Sequence, residues 1–166
     1  GEGLDIDHLD VKTASGDFNC HLRTCKELIF HSASGDLELF GACADLHADT
    51  MSGDITLHGQ VDDAMVKTAS GDIETDGAVA RFLGKSMSGD LHVESSRQPQ
   101  VMELSTKSGD CQARIPDAGP FTLHYKTVSG ETDFAFPFRY QGGAAVYGDG
   151  SGPCYSMTTV SGDLSL

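Results

Sequence analysis

A hydroxyl, a glycine and a carboxylate stand together eight times in this chain. The triplets are Ser15-Gly16-Asp17, Ser34-Gly35-Asp36, Ser52-Gly53-Asp54, Ser70-Gly71-Asp72, Ser88-Gly89-Asp90, Ser108-Gly109-Asp110, Ser129-Gly130-Glu131 and Ser161-Gly162-Asp163. Three chemistries use such residues. A nucleophilic serine needs a base within hydrogen-bond reach, and no histidine recurs beside the triplet. His21 and His58 share a column, and no HxH, HExxH or CxxC pattern occurs. A calcium ladder would draw on Asp17, Asp36, Asp54, Asp72, Asp90 and Asp110, the weak candidates for cation binding. Calcium takes about six to eight oxygens, one carboxylate per repeat is too few alone, and the glycine-dense nonapeptide of calcium-binding β-rolls is missing. The retaining-glycosidase separation of about 5–5.5 Å selects nothing, because every neighbouring pair in an even row would meet it. No catalytic residue, metal or cofactor is assigned.

The serines are separated by 19, 18, 18, 18, 20, 21 and 32 residues, a period that signals one short unit stacked on itself. Two places before each serine stands only Ser or Thr: Thr13, Ser32, Thr50, Thr68, Ser86, Thr106, Thr127 and Thr159. Four places before, the column is mostly apolar, as in Val11, Phe30, Val66 and Leu104. Alternation places these on one side of a strand together with the serine. Beyond the glycine the phase shifts by one, and Phe18, Leu37, Ile55, Ile73 and Leu91 lead a second alternating run. Each unit reads as strand, glycine corner, strand and looser turn. It cannot bury its apolar face alone, but stacked copies can. The expectation is all-β, a parallel β-solenoid of about eight coils at ~4.8 Å per step, with identical corners in identical order.

In that register the triplet serine packs inward, the glycine turns the chain and the carboxylate steadies the turn by accepting backbone N–H groups. Lys12, Lys67, Lys85, Lys126 and Lys107 flank the triplets and are expected to offset the acid row. The domain layout is one repeat domain over 1–166, with coils over 4–131, an irregular insertion over 132–160 and a final coil strand over 161–166. The insertion carries Phe134, Phe136, Phe138, Tyr140, Tyr147 and Tyr155, and its glycines precede a strand with no following lysine, which speaks against a phosphate loop. It reads as a hairpin capping the solenoid end. Any rings left exposed, with Phe136, Phe138, Tyr140 and Tyr147 as candidates, would form a ligand surface.

The net charge of −14 argues against nucleic acid and anionic lipid as partners. No apolar run reaches the length of a transmembrane helix. Gly1 reads as a tag scar and both ends read as cut from a longer protein. The five cysteines, Cys20, Cys25, Cys43, Cys111 and Cys154, leave one unpaired in a monomer. Cys25 and Cys43 lie one repeat apart, within reach of a bridge on neighbouring coils, while buried free thiols are the default reading.

The repeated T-x-S-G-D pattern, with Gly148-Asp149-Gly150-Ser151-Gly152 and then Thr159-Val160-Ser161-Gly162-Asp163-Leu164 at the end, resembles a bacterial family of candidate adhesins whose function is unknown. The resemblance covers the whole chain and departs at Glu131 and in the cysteines. It implies a β-solenoid of the cell envelope or surface, and some relatives are attached to membrane segments or linked to envelope stress. The expected function is a non-enzymatic adhesin, binding or scaffold module for an unknown protein or glycan. The alternatives are a carbohydrate-active enzyme, with acids near Asp133 or Asp149, and a sensor module of a larger envelope-stress protein attached to the membrane. The expected location is the envelope or exterior, with the cytoplasm as the alternative.

Overall fold

The computed structural model describes residues 4–116 and 119–166. Five long strands come first: β1 (Leu4–Ser15), β2 (Phe18–Ser34), β3 (Leu37–Ser52), β4 (Ile55–Ser70) and β5 (Ile73–Ser88). Shorter strands follow: β6 (Leu91–Ser95), β7 (Val101–Ser105), β8 (Cys111–Arg114), β9 (Phe121–Lys126) and β10 (Thr132–Asp133). The last are β11 (Arg139–Gln141), β12 (Ala144–Tyr147), β13 (Cys154–Thr158) and β14 (Leu164–Ser165). Every strand from β1 to β5 pairs in parallel with the next, and Ser15, Ser34, Ser52, Ser70 and Ser88 fall opposite one another. The parallel β-solenoid read from the repeat is the fold.

The two apolar columns make the core. Phe30, Ala48, Val66, Leu104 and Met157 line up before the triplets, and Leu37, Ile55, Ile73, Leu91, Cys111 and Leu164 after them; all are 0% exposed. Glycine holds the corner because the coils touch there through bare backbone. A Cβ on Gly71 would overlap the Gly53 carbonyl oxygen, and one on Gly53 would overlap that of Gly35. The second turn has the same requirement with a conformational one added: Gly77 lies at φ +146° against Gly59.

The Ser/Thr column two places before the triplet is buried at Ser32, Thr50, Thr68, Ser86, Thr106 and Thr159. Its hydroxyls mostly donate to the corner glycine carbonyl of the adjacent coil. Thr68 donates to Gly53 at 3.4 Å, Thr106 to Gly89 at 3.1 Å and Thr159 to Gly109 at 3.1 Å. Among the described residues Ser32 and Thr50 find no hydrogen-bond partner. The triplet serines differ from expectation: all eight are exposed. The chain leaves the strand plane at the serine itself, so the hydroxyl that packs inward belongs two residues earlier.

The stacking order also departs from chain order. β13 lies between β7 and β9, parallel to both, and β14 lies between β8 and β10. Ser161 bridges Ser108 on one side and Ser129 on the other. The last coil in sequence is therefore intercalated as the penultimate layer. This corrects the expectation of corners stacked in sequence order. The interval of 32 residues before Ser161 carries the chain out over the end and back. On the way out it forms the capping hairpin: β12 pairs antiparallel with β9 and with β11.

All five cysteines are free, four of them buried and Cys154 exposed. Cys25 and Cys43 do fall opposite each other. Burial pushes the Cys43 and Cys111 thiols up from 9.0 to about 12, so both stay protonated and unreactive near neutral pH. A thiol reagent such as Ellman's should titrate one group in the native chain and five after denaturation. The same shifts give a pH dependence. The folded state holds its thiol protons where the unfolded chain loses them, so their contribution is complete below pH 9.0 and is lost as pH rises toward about 12. The melting midpoint should fall over that window, and less steeply in Cys43→Ala/Cys111→Ala.

Candidate functional site

The acid row is occupied with structure. The Asp36 N–H donates to Asp17 Oδ1 at 3.3 Å, Asp54 to Asp36 at 2.8 Å, Asp72 to Asp54 at 2.9 Å and Asp90 to Asp72 at 2.8 Å. The ladder continues from Asp110 to Asp90 at 2.9 Å, from Asp163 to Asp110 at 2.8 Å and from Glu131 to Asp163 at 2.7 Å. Each carboxylate thus steadies the next coil rather than its own turn. Glu131 stands last, where no further coil calls on its carboxylate, which accounts for the one departure from aspartate. Among the described residues no lysine pairs with a triplet carboxylate; Lys12 pairs with Asp10 at 3.6 Å and Lys85 with Glu103 at 3.9 Å. Among those residues no group of three His, Cys, Asp or Glu is placed to share a metal ion.

The aromatic candidates mostly pack on one another. The buried Phe121 of β9 gathers Phe136 at 5.1 Å, Phe138 at 5.6 Å, Tyr147 at 5.3 Å and Tyr155 at 5.1 Å between ring centroids. Phe136, Phe138 and Tyr147 are half-buried in this cap core, and of the four rings named as a ligand surface Tyr140 projects furthest, at 67% exposure. Tyr155, buried, donates its hydroxyl to the Pro99 carbonyl at 2.6 Å and so anchors the intercalated strand.

The acids singled out near the insertion do not meet. Asp149 accepts from Ser151 Oγ at 2.6 Å and from Ser151 N–H at 2.9 Å, and these bonds hold its carboxyl below the usual range. Asp133 borders a cleft with Arg114, Ile115, Phe136 and Leu166, and it is the only acidic side chain among the described residues lining that cleft. Acid–base hydrolysis of a glycosidic bond uses two.

The feature that the motif hides is its variable position, immediately before the serine. In stacking order it reads Ala14, Ala33, Met51, Ala69, Met87, Lys107, Val160 and Val128. An outward-facing column would be expected to be polar, yet seven of these eight are apolar. Met51, Met87, Val160 and Val128 are 67, 59, 44 and 71% exposed. Four places earlier on the same outward face the column reads Asp10, Ile29, His47, Met65, Leu83, Glu103, Ser156 and His124, with Met65 also exposed, and between the two columns stand Lys12, His31, Asp49, Lys67 and Lys85. Among the described residues, five of the six large exposed hydrophobic side chains therefore lie on this flank, the sixth being Tyr140. Seven steps of ~4.8 Å give the corner stripe a length of roughly 34 Å. The flank beyond the glycine is different: its outward columns carry Asn19, Glu38, Thr56, Glu74 and His92, then His21, Phe40, His58, Asp76 and Glu94. His21, Phe40 and His58 stack there at 4.7 and 4.8 Å, which fills the gap between the two histidines of that column.

In-register parallel coils, a glycine corner and an antiparallel cap define a β-solenoid repeat domain. The family model described as Toastrack DUF4097 matches residues 2–166, and the chain belongs to that family. No curated protein and no solved structure matches the chain. No helix among the described residues is long and apolar enough to cross a membrane.

Proposed function

We propose that the chain is a non-enzymatic binding or scaffold module, an adhesin in the broad sense, that works at the bacterial cell envelope. The observation that carries the binding role is the exposed apolar stripe of Met51, Met87, Val160 and Val128 along one flank. Exposed apolar surface of this extent on a soluble fold marks an interaction site. The envelope location rests on the resemblance of the repeat and its ending to the surface family described above. A straight rail with a ~4.8 Å repeat suits an extended polypeptide laid lengthwise. It suits a glycan less well, because sugars stack on aromatic rings and the rail has none. The carbohydrate-active reading lacks a second acidic side chain among the described residues of the Asp133 cleft.

Arrays of extended peptides and of glycans, read together with a reducing-sugar assay, test this proposal. Binding to peptides without turnover is expected. Release of reducing sugar, abolished by Asp133→Asn, would overturn it.

A further inference from the structure

The two ends of the solenoid are finished differently. At the far end the hairpin of β11 and β12 covers β9. At the near end, among the described residues, β1 pairs only with β2 and presents its other edge open. Core columns that are sealed in the inner coils are incompletely covered there: Ile6, Leu9, Val11 and Phe18 are half-buried, as Tyr125 and Phe134 are at the far end, whereas Leu28, Phe30 and Leu37 in the adjacent coils are 0% exposed. A Cβ placed on Gly16 would meet no atom within 4 Å, although each later corner glycine is pressed against the coil stacked before or after it. Among the described residues this end has the surface of an internal coil with no coil stacked on it.

What fits it is written in the outward charges. In the edge strand the outward residues around Val11 are Asp10 and Lys12, exposed and paired with each other at 3.6 Å. Equivalent positions in the inner coils hold Ile29 with His31, His47 with Asp49, Met65 with Lys67 and Leu83 with Lys85, so the acid–base couple belongs to the edge. Edge charges commonly block strand addition. This couple instead allows one register. When two copies of β1 run antiparallel about a two-fold axis at Val11, Asp10 faces Lys12 of the partner subunit and Lys12 faces Asp10 of the partner subunit. Leu9 then faces Thr13 of the partner subunit. Both charges are satisfied twice, and directly opposed opposite charges favour a strand pair. A head-to-tail stack would have to use the hairpin-covered end, so association closes at two.

We propose that this chain forms a two-fold dimer by antiparallel pairing of β1 with β1 of a second copy, centred on Val11. The half-buried Ile6, Leu9, Val11 and Phe18 are then covered and the open strand edge disappears. This inference is independent of the ligand-binding flank, which a β1 dimer leaves free.

Sedimentation velocity of the whole chain over about 1–100 µM tests it. A dimer is expected at the upper concentrations. Lys12→Asp and Asp10→Lys each bring like charges face to face twice and should weaken the dimer at least tenfold. The double variant Asp10→Lys/Lys12→Asp restores opposite charges and should recover the affinity to within about threefold. Both side chains are exposed, so the melting of dilute, monomeric protein should be unchanged in all three variants. A monomer at every concentration would overturn the proposal, as would a dimer indifferent to the single reversals or one that the double reversal fails to rescue.

Discussion

Removal of residues 154–166 should strip amide-exchange protection from residues 121–126, although no atom of that strand is deleted. In a solenoid stacked in chain order the loss would stop at the cap. Here β13 lies between β7 and β9, so the deletion leaves a gap one strand wide. It removes the buried Tyr155, Met157 and Leu164. It also breaks the carboxylate ladder, since Glu131 hangs from Asp163 and Asp163 from Asp110. Burial of each such side chain is worth about 2–5 kcal/mol when truncated. Repeat folds depend on nearest neighbours, so β2 to β5 should keep their protection. Hydrogen exchange with mass spectrometry reads both halves at once. Persistent protection over 121–126 would mean that β9 can stack directly on β7. Tyr155 sets the smaller companion effect: Tyr155→Phe strands the Pro99 carbonyl and should cost about 1–3 kcal/mol.

The corner glycines should divide sharply by position. Gly71→Ala drives a methyl group into the Gly53 carbonyl oxygen, and the adjacent strands hold that backbone on both sides. Relief requires the coils to part, which should cost about 3 kcal/mol or more, above the usual overpacking range of about 1–3 kcal/mol for side chains that can yield. At ~2–4 °C per kcal/mol for a domain of this size, the midpoint should fall by ~6–12 °C. Gly16→Ala meets open space, and only its φ of +123° opposes the change, a strain of order 1–3 kcal/mol. Thermal melts of dilute protein compare the two directly. Equal losses would show that conformational strain rather than coil contact decides the corner.

The repeat made the fold legible because each column has one physical task. Leu37, Ile55 and Ile73 declare the core, Gly53 and Gly71 the contact of bare backbone, and Thr68 and Thr106 the buried hydroxyl that reaches a carbonyl. The phase at Ser15 and its equivalents was harder to read. Strand alternation alone carries the serine inward, but the corner has already begun there. The swap of the last two coils left no mark in local sequence, since Ser129 and Ser161 carry the same motif and either could stack on Ser108. The aromatic residues of 132–160 could be assigned to the insertion, yet their rings close around Phe121, a contact that depends on where β9 and β12 meet. The apolar flank was present in the sequence at the motif's variable position. Met51, Met87, Val128 and Val160 fill a place where a purely structural corner would tolerate any polar residue.

Binding along that flank is the central claim, and paired substitutions on the two flanks test it most directly. Met51→Lys/Met87→Lys changes the apolar corner, and Thr56→Lys/Glu74→Lys changes the polar flank of the same stretch of the solenoid. All four positions face outward, so both variants should melt within a few degrees of the parent. On a peptide array the methionine pair should weaken binding at least tenfold, and the polar-flank pair should leave it within about twofold. Retained binding in the methionine pair, or its loss only in the polar-flank pair, would show that the ligand does not lie along Met51 and Met87.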